Sequence, residues 1–559
     1  MTITATGKLI APISERQLAL LLYTILSAAV LYPLFIVEIP PLVDYPSHIA
    51  RIHILSSIAS DTALQANYAV TWRALPNLAM DIILPPLTAL MSVYTAGKIF
   101  VGLAILIPVA GVAALRKVLH GQVGIAPALA FLPAYNLCLT WGFLNFLFAT
   151  GLCILAFAGW VASRHWRPVP RAASFALIAL GLYFSHIFAF GAYALSVGGY
   201  TLHQLINQRS DFPKAWASTL SVAGTQFLLP AAFILLTLLS GSGGYTFYGD
   251  THAKVLALVT PFYSVGSKAD FLFAFFVAGF LIWMAIRRRI SVIPAMRMPL
   301  IFLLLAAIAT PEWLMRTWAV DIRLPVVITL AAIASMNIKI ESRSTAIALS
   351  TIVLALFVAR VAATAEFWSR ADANLSEFRA ATAMIPEGAR IMTVQPPTSE
   401  TPEGADQLRQ IYWGLPAIAV IERSAFTPTL FTDFEKQLLQ PAERNRAIDT
   451  PFGRPPSLND LESGAALNLR GAKARLHWTG RSIFWTDWPH RLDYVVSVFD
   501  AAPPDGVGIL LNPIHTGSFF VIYETIKGSC ELPDPMDDES LRATCFRDDD
   551  AERQGGAAS

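Results

Sequence analysis

Residues 18–37 read LALLLYTILSAAVLYPLFIV, a run that contains no Asp, Glu, Lys or Arg. A helix rises about 1.5 Å per residue and the hydrocarbon core of a bilayer is about 30 Å thick, so this run predicts one membrane span. It lies close to the N-terminus but is long and lacks a small-residue cleavage site. These features predict a retained anchor and not a signal peptide.

The composition of the whole chain indicates that further segments lie in the membrane. Of 559 residues, 55% are hydrophobic and 14% are charged, against roughly 25% charged in a soluble protein. Long uncharged stretches occur up to about residue 359 and almost none follow. We therefore predict a transmembrane domain over residues 1–363. The net charge of +2 is nearly neutral and gives no support for a nucleic-acid partner, whose phosphates demand a dense basic surface.

The uncharged stretches predict about eleven transmembrane helices when they are compared with the thickness of a bilayer. They cover residues 18–37, 99–115, two spans within 123–163, two within 172–208, then 216–240, 271–286, 298–311, 324–338 and 345–361. The turn in the first pair is expected near Trp141 and the break in the second near Ser185. Asp81, Pro85 and Pro86 predict a shorter, interfacial helix within residues 78–93.

Basic residues fall in alternate loops, which favours a cytoplasmic N-terminus. The first outer loop, residues 38–97, and everything after residue 362 are then extracytoplasmic. We expect a multi-pass protein of the bacterial inner (cytoplasmic) membrane with a periplasmic C-terminal domain.

The C-terminal part predicts a soluble α/β domain over residues 364–530. Short β-like runs separated by Pro and Gly turns indicate its strands, at residues 390–394, 494–499, 506–511 and 519–524. Residues 531–559 are acidic and rich in Gly and Ala, and are predicted to lack fixed structure. Cys530 and Cys545 are predicted to form a disulfide in the oxidising compartment, the alternative being two unpaired thiols.

The segment that gathers candidate catalytic and binding side chains is residues 40–51, PPLVDYPSHIAR, directly after the first span. Pro46 suits the first turn of a helix, which leaves Asp44 just ahead of the N-terminus and puts His48 and Arg51 three residues apart on one face. The chain contains no Gly-rich phosphate loop, paired CxxC or HExxH motif, so nucleotide-driven pumping and classical zinc chemistry have no support.

This arrangement resembles the GT-C superfamily of membrane glycosyltransferases, which use polyprenyl-phosphate-linked sugars. The resemblance lies in an acidic residue that opens the first outer loop, in interfacial helices, in the many spans and in an outer C-terminal domain. Residues 76–115 look like the interfacial helix and second span of that superfamily. Some relatives carry two adjacent acids where this chain has Asp44 alone. That difference leaves dependence on a divalent metal open.

The resemblance implies an inverting enzyme in which Asp44 is the catalytic base. It takes the proton of the acceptor hydroxyl as that hydroxyl attacks the anomeric carbon. The donor would be a polyprenyl-phosphate sugar, and the acceptor a lipid, a glycan or a protein. Cationic side chains would stabilise the leaving phosphate, with Lys98 and Arg316 among the candidates. The candidate substrate-binding residues are His48, Arg51, Arg73, Asp81, His186 and Arg323.

Each candidate also has a plainer interpretation. Asp44 can be a solvated loop carboxylate, Asp81 the polar face of an interfacial helix, and His186 a hairpin tip. The alternative functions are a polytopic transporter and a non-catalytic envelope assembly protein. A transporter typically shows internal repeats and ionisable residues at mid-membrane, whereas here most charges sit in loops and at span ends and the sequence shows no convincing repeat. Eleven spans are excessive for an anchor. The sequence therefore favours the enzyme.

Overall fold

The computed structural model describes residues 15–207, 214–240, 246–264, 268–315, 317–339, 342–397, 406–433, 436–446, 448–450, 455–461, 484–485, 488–499 and 502–527. The chain divides into two compact units. One, here called the helical unit, comprises Met1–Val37, Leu75–Met80 and Lys98–Ser369. The other, called the mixed unit, comprises Glu38–Ala74, Asp81–Gly97 and Arg370–Ser559.

Sixteen α-helices lie in the described chain up to residue 381. They are α1 (Glu15–Ile36), α2 (Tyr45–Ser57), α3 (Thr62–Asn67), α4 (Ala79–Thr88), α5 (Val93–His120), α6 (Leu137–Thr140), α7 (Leu144–Ala162), α8 (Pro168–Ser185), α9 (Ile187–Asn207), α10 (Lys214–Thr225), α11 (Leu228–Ser240), α12 (Thr251–Val259), α13 (Lys268–Ile286), α14 (Pro294–Ala309), α15 (Arg323–Ser335) and α16 (Arg343–Ala381). Four short helices follow them: α17 (Asp406–Arg409), α18 (Leu415–Arg423), α19 (Trp488–Arg491) and α20 (Asp505–Gly508).

The apolar helices confirm a predominantly helical membrane protein. Within the described residues, five helices are long and apolar enough to cross a bilayer, or up to six if α10 and α11, bent by 49°, form one span. Five further apolar helices are shorter, among them α14 and α15. The predicted break near Ser185 is confirmed, since α8 ends there and α9 begins at Ile187. The predicted number of eleven spans stays a prediction.

The prediction of two spanning helices within residues 123–163 is wrong. Only α7 is a long helix, and the part before it contains a 3₁₀-helix, Ala126–Phe131, and the single turn α6. Pro127 and Pro133 remove backbone donors there, which disfavours a continuous helix.

This irregular segment runs alongside α1. The hydroxyl of Tyr23 donates to the carbonyl of Gly124 at 3.0 Å, and seven residues further along α1 the carbonyl of Val30 accepts from the hydroxyl of Tyr135. Non-helical backbone at membrane depth is tolerated where protein covers it. Residues 123–143 therefore form an irregular segment in place of the predicted helix, and this segment is largely buried from residue 127 onwards.

The mixed unit confirms the predicted α/β character of the C-terminal part. Its main sheet has the order β6-β8-β10-β9, in which β6 and β8 are parallel and the other pairs antiparallel. The strands are β1 (Tyr68–Val70), β2 (Thr246–Phe247), β3 (Ile290–Val292), β4 (Trp313–Leu314), β5 (Met336–Ile338), β6 (Ile391–Val394), β7 (Leu439–Pro441), β8 (Tyr494–Val498), β9 (Leu511–Thr516) and β10 (Phe520–Thr525). Strands β2 and β4, and β3 and β5, form two small antiparallel pairs in the helical unit.

One predicted strand is wrong. The predicted strand at residues 506–511 is replaced by the helical turn α20 (Asp505–Gly508), with Pro504 at its N-cap, and β9 begins only at Leu511. The other three runs coincide with β6, β8 and β10. Cys530, Cys545 and the acidic tail lie outside the described residues.

The first outer loop shares one hydrophobic core with the C-terminal part. Ile54 of α2, Leu64 of α3 and Tyr68 of β1 are buried in the same cluster as Val495 of β8 and Trp488 of α19. Strand β1 also pairs with β7, with Tyr68 opposite Pro441 and Val70 opposite Leu439. The loop that carries Asp44 is thus folded into the mixed unit.

Candidate functional site

Asp44 occupies the N-cap position of α2, as the sequence predicts, and Pro46 lies in the first turn. The carbonyl of Asp44 accepts the amide of His48 at 2.9 Å, the first hydrogen bond of the helix. The carboxylate, in contrast, makes no capping bond to the helix backbone. Its charge nonetheless sits at the positive end of the helix dipole, where an ionised carboxylate is stabilised.

Asp44 and His48 stand out by exposure. Every other residue from Ile39 to Ile52 is buried, and these two are partly exposed. They are four residues apart, so they lie on one face of the helix. The accessible face at the start of α2 therefore presents a carboxylate and an imidazole.

The chain on either side of Asp44 is fixed by neighbours in the mixed unit. The carboxylate of Asp372, on α16, accepts the amides of Glu38 at 3.0 Å and of Ile39 at 2.7 Å. A Cβ atom at Gly97 would come within 2.4 Å of the buried hydroxyl of Tyr45, so only glycine fits there. The backbone that presents Asp44 is rigidly held.

Arg51 is buried in an ion pair with Asp81. Its Nε and Nη2 atoms donate to the two carboxylate oxygens at 2.7 and 3.2 Å, and both side chains are 2% exposed. Its Nη1 atom donates to Oε1 of Gln437 at 3.0 Å. Arg51 and Asp81, which were both predicted to bind substrate, thus bind each other. Breaking such a buried pair by removing one partner typically costs about 3–5 kcal/mol.

Arg73 and His48 both contact the C-terminal part of the chain. Nη2 of Arg73 donates to the main-chain carbonyl of Gln437 at 3.3 Å. The ring of His48 lies 5.1 Å from that of Phe431, measured between centroids, in a tilted arrangement. Sequence reasoning missed Gln437, because a lone glutamine 386 positions from Arg51 carries no local signal.

His186 and Arg323, predicted separately, meet in the helical unit. His186 sits at the break between α8 and α9, and Arg323 is the first residue of α15. Nη1 of Arg323 lies 3.1 Å from Nε2 of His186. The guanidinium also lies 4.4 Å from the ring of Phe143 and 5.1 Å from that of Phe188. Both polar side chains are buried.

The two ring nitrogens of His186 both face hydrogen-bond donors. Its Nδ1 atom accepts the amide of Phe188 at 3.2 Å, while Nε2 faces a guanidinium that can only donate. A neutral imidazole has one N–H and one acceptor nitrogen, so one of these contacts sets two donors against each other. An anionic oxygen that approached both nitrogens from one side would accept from the Arg323 guanidinium and from a protonated Nε2 of His186.

Two asparagines hold the backbone next to His186. Asn145 accepts the amide of Met80 at 2.9 Å and donates to the carbonyl of Asn77 at 2.6 Å. The side chain of Asn77 in turn accepts the amide of Ile187 at 3.1 Å. Asn145 is recognisable in the sequence as a polar residue in an apolar run, whereas the role of Asn77 depends on its left-handed backbone, φ 69°.

Lys98 and Arg316 were the further cations predicted to stabilise the leaving phosphate. Nζ of Lys98 donates to the carbonyl of Val37 at 2.7 Å, and Arg316 lies outside the described residues. Among the residues that the structure describes, no group of three or more His, Cys, Asp or Glu side chains is placed to hold a metal ion.

The chain was compared with family models, with curated proteins and with solved structures. No family model matches the chain, and no curated protein matches it. Among solved structures the chain is similar to the crystal structure of ArnT from Cupriavidus metallidurans bound to undecaprenyl phosphate. The TM-score is 0.42 at 11% sequence identity, over 92% of this chain and 99% of that chain.

Proposed function

We propose that the protein is a membrane glycosyltransferase that moves a sugar from a polyprenyl-phosphate-linked donor to an acceptor on the extracytoplasmic face. The proposal is supported by the apolar helices, by the position of an acidic residue directly after the first span, and by the resemblance of the outer loop to that of GT-C enzymes. The observation that carries it is the pair Asp44 and His48, the two partly exposed residues in an otherwise buried stretch.

Asp44 is the general base of this reaction. Its carboxylate takes the proton of the acceptor hydroxyl while the hydroxyl oxygen forms a bond to the anomeric carbon. The bond between that carbon and the phosphate oxygen breaks on the opposite side, so the configuration inverts and the lipid phosphate leaves with the electron pair. His48, one turn further on the same face, hydrogen-bonds the acceptor.

The cations have different roles in this proposal. Arg323 with His186 binds the phosphate of the donor, because a guanidinium, which can only donate, lies beside an imidazole there in a buried, aromatic setting. Arg73 provides a further positive charge at the first outer loop. Arg51 is occupied by Asp81 and Gln437, so we assign both Arg51 and Asp81 to holding α2 in place.

Asp44→Asn is expected to lower kcat by about 10²- to 10⁴-fold, the usual contribution of general acid–base catalysis. Asparagine keeps the size of the side chain but accepts no proton at neutral pH. The measurement is transfer of labelled sugar from a polyprenyl-phosphate donor by the purified protein. Asp61→Asn is the matched control, since Asp61 caps α3 in the same loop through the amide of Leu64, and asparagine caps equally well. An Asp44→Asn protein as active as this control would refute the role of Asp44 as base.

Arg323→Lys is expected to raise the KM for the donor about tenfold with a smaller change in kcat. Lysine keeps the charge but loses the planar fork and its stacking on Phe143 and Phe188. Arg164→Lys, an exposed basic residue of the same unit, is the control and should behave as wild type. An unchanged donor KM in Arg323→Lys would remove Arg323 from the phosphate site.

A further inference from the structure

The C-terminal part of the mixed unit pairs with the first outer loop through an antiparallel ladder. Strand β7 pairs with β1, and beyond the strand ends the amide of Thr71 donates to the carbonyl of Leu438 at 2.9 Å. The backbone of residues 437–441 therefore runs beside residues 68–73 in a fixed register. This register places Gln437 next to Arg73.

Gln437 binds two arginines of the first outer loop with two different oxygens. Its side-chain Oε1 accepts from Nη1 of Arg51 at 3.0 Å, and its main-chain carbonyl accepts from Nη2 of Arg73 at 3.3 Å. Both acceptors are uncharged, so neither contact adds a negative charge beside the arginines, and the charge of Arg51 is already balanced by Asp81. The two contacts can also be separated, because a substitution removes only the side-chain oxygen.

The contact with Arg51 fixes α2. The guanidinium of Arg51 is a rigid planar fork whose Nε and Nη2 are held by Asp81, and Gln437 takes the remaining Nη1. Arg51 lies seven residues, about two helical turns, after Asp44 and therefore close to the same face of the helix. A rotation of α2 about its axis would break this set of bonds and would move Asp44 and His48.

A second contact from the same segment acts directly on that face. The ring of Phe431 lies 5.1 Å from the ring of His48. Residues Phe431 and Gln437 thus contact α2 at two points one turn apart, His48 and Arg51. The C-terminal part of the chain holds both the rotation of the helix and the orientation of its imidazole.

We propose that Gln437 is a positioning residue for the Asp44 site, so that the C-terminal part of the chain completes the catalytic apparatus. The inference rests on the proposed function. Gln437 acts through Arg51: it fixes the rotation of α2 and thereby the direction of the Asp44 carboxylate. The C-terminal part is then required for the chemical step itself.

The test is Gln437→Met, which keeps the length of the side chain and the main-chain carbonyl that binds Arg73 but removes Oε1. Gln440→Met is the matched control. Gln440 lies on β7 opposite Ala69, and its side-chain nitrogen has no hydrogen-bond partner among the described residues. Gln437→Glu is the rescue variant, because it restores an oxygen for Nη1 of Arg51.

Two measurements distinguish positioning from a merely structural role. In hydrogen exchange, Gln437→Met should raise the exchange rate of the α2 amides about tenfold relative to Gln440→Met, with the same thermal unfolding midpoint, and Gln437→Glu should restore protection. In the transfer assay, kcat per folded protein should fall about 10- to 100-fold, as expected when a catalytic group is misplaced by a fraction of an ångström to 1 Å, while the KM values for donor and acceptor change less than about twofold.

The outcomes separate the two proposals. If Gln437→Met matches Gln440→Met in exchange or in kcat, or differs only through a lower unfolding midpoint, Gln437 is not a positioning residue, whatever Asp44 does. If Asp44→Asn keeps wild-type activity, or the wild-type protein transfers no sugar, the proposed function fails. The exchange data then still decide whether Gln437 holds α2.

Discussion

At Asp449, a single hydroxyl contacts both oxygens of a carboxyl group. Oγ1 of Thr432 lies 2.8 Å from Oδ1 and 2.8 Å from Oδ2. Burial raises the pKa of Asp449 to about 7, the hydrogen bond from Thr432 opposes this increase, and the nearby carboxylate of Asp433 adds to it. The folded protein therefore binds a proton at Asp449 over a pH range in which the unfolded chain, with a pKa near 4, has lost it.

This difference predicts that stability falls as pH rises from about 4 through 7. The folded state binds more protons than the unfolded state in this window, so the slope of the unfolding free energy with pH is negative, and the contribution lost amounts to at most about 4 kcal/mol. We expect Asp449→Asn to flatten the change in thermal unfolding midpoint of the purified protein between pH 5.5 and pH 8.

Asp493 provides the control for this experiment. The pKa of Asp493 is lowered to about 2, because its hydrogen bonds with Arg390 and Lys527 outweigh the effect of burial. The stability that it contributes is present above about pH 4 and is lost as pH falls towards 2, outside the window measured. Asp493→Asn should lower the midpoint at both pH values and leave the slope unchanged. A wild-type slope in Asp449→Asn would show that Asp449 titrates in the ordinary range.

Among the site residues, local chemistry could be predicted and long-range pairing could not. Pro46 and the spacing to His48 were enough to place Asp44 at a helix N-terminus, because these effects act within one turn. Arg51 and Asp81 were recognised separately as candidates, but 30 positions separate them and spacing along the chain carries no signal for such a contact. Gln437 was missed for the same reason.

At the scale of elements, the segment before α7 shows where hydropathy misleads. An uncharged stretch of sufficient length predicts a helix because an isolated chain in lipid must satisfy its own backbone groups. Here the 3₁₀-helix Ala126–Phe131 and the turn α6 serve instead, with Asn136 accepting the amide of Leu139 at 3.1 Å. Neighbouring helices also supply hydrogen-bond donors, since Tyr23 of α1 donates to the carbonyl of Gly124 and Arg360 of α16 to that of Tyr135. Apolar composition alone does not reveal such contacts.

At the scale of the whole molecule, composition predicted that the transmembrane domain ends at residue 363, and the helical unit of the structure ends at Ser369. The units themselves are discontinuous in sequence. The first outer loop was assigned by position to the transmembrane domain, whereas the structure groups it with the C-terminal part. Asn67 illustrates the connection, since it is fully buried and donates to the carbonyls of Gly388 and Ser424 at 3.1 and 3.0 Å. Hydropathy detects lipid-facing surface and not such pairings.

The orientation of the chain in the membrane is the last prediction, and it rests on the alternation of basic loops. Single cysteines can test it in a variant whose Cys530 and Cys545 are replaced by serine, because Cys138 and Cys153 are buried. Gln122→Cys and Glu387→Cys introduce thiols at two exposed positions. In intact cells with a permeable outer membrane, a membrane-impermeant maleimide should label Glu387→Cys and reach Gln122→Cys only after the inner membrane is opened. Labelling of both from outside would place residue 122 and the C-terminal part on the same side, and would contradict the assignment of the Asp44 loop to the extracytoplasmic face.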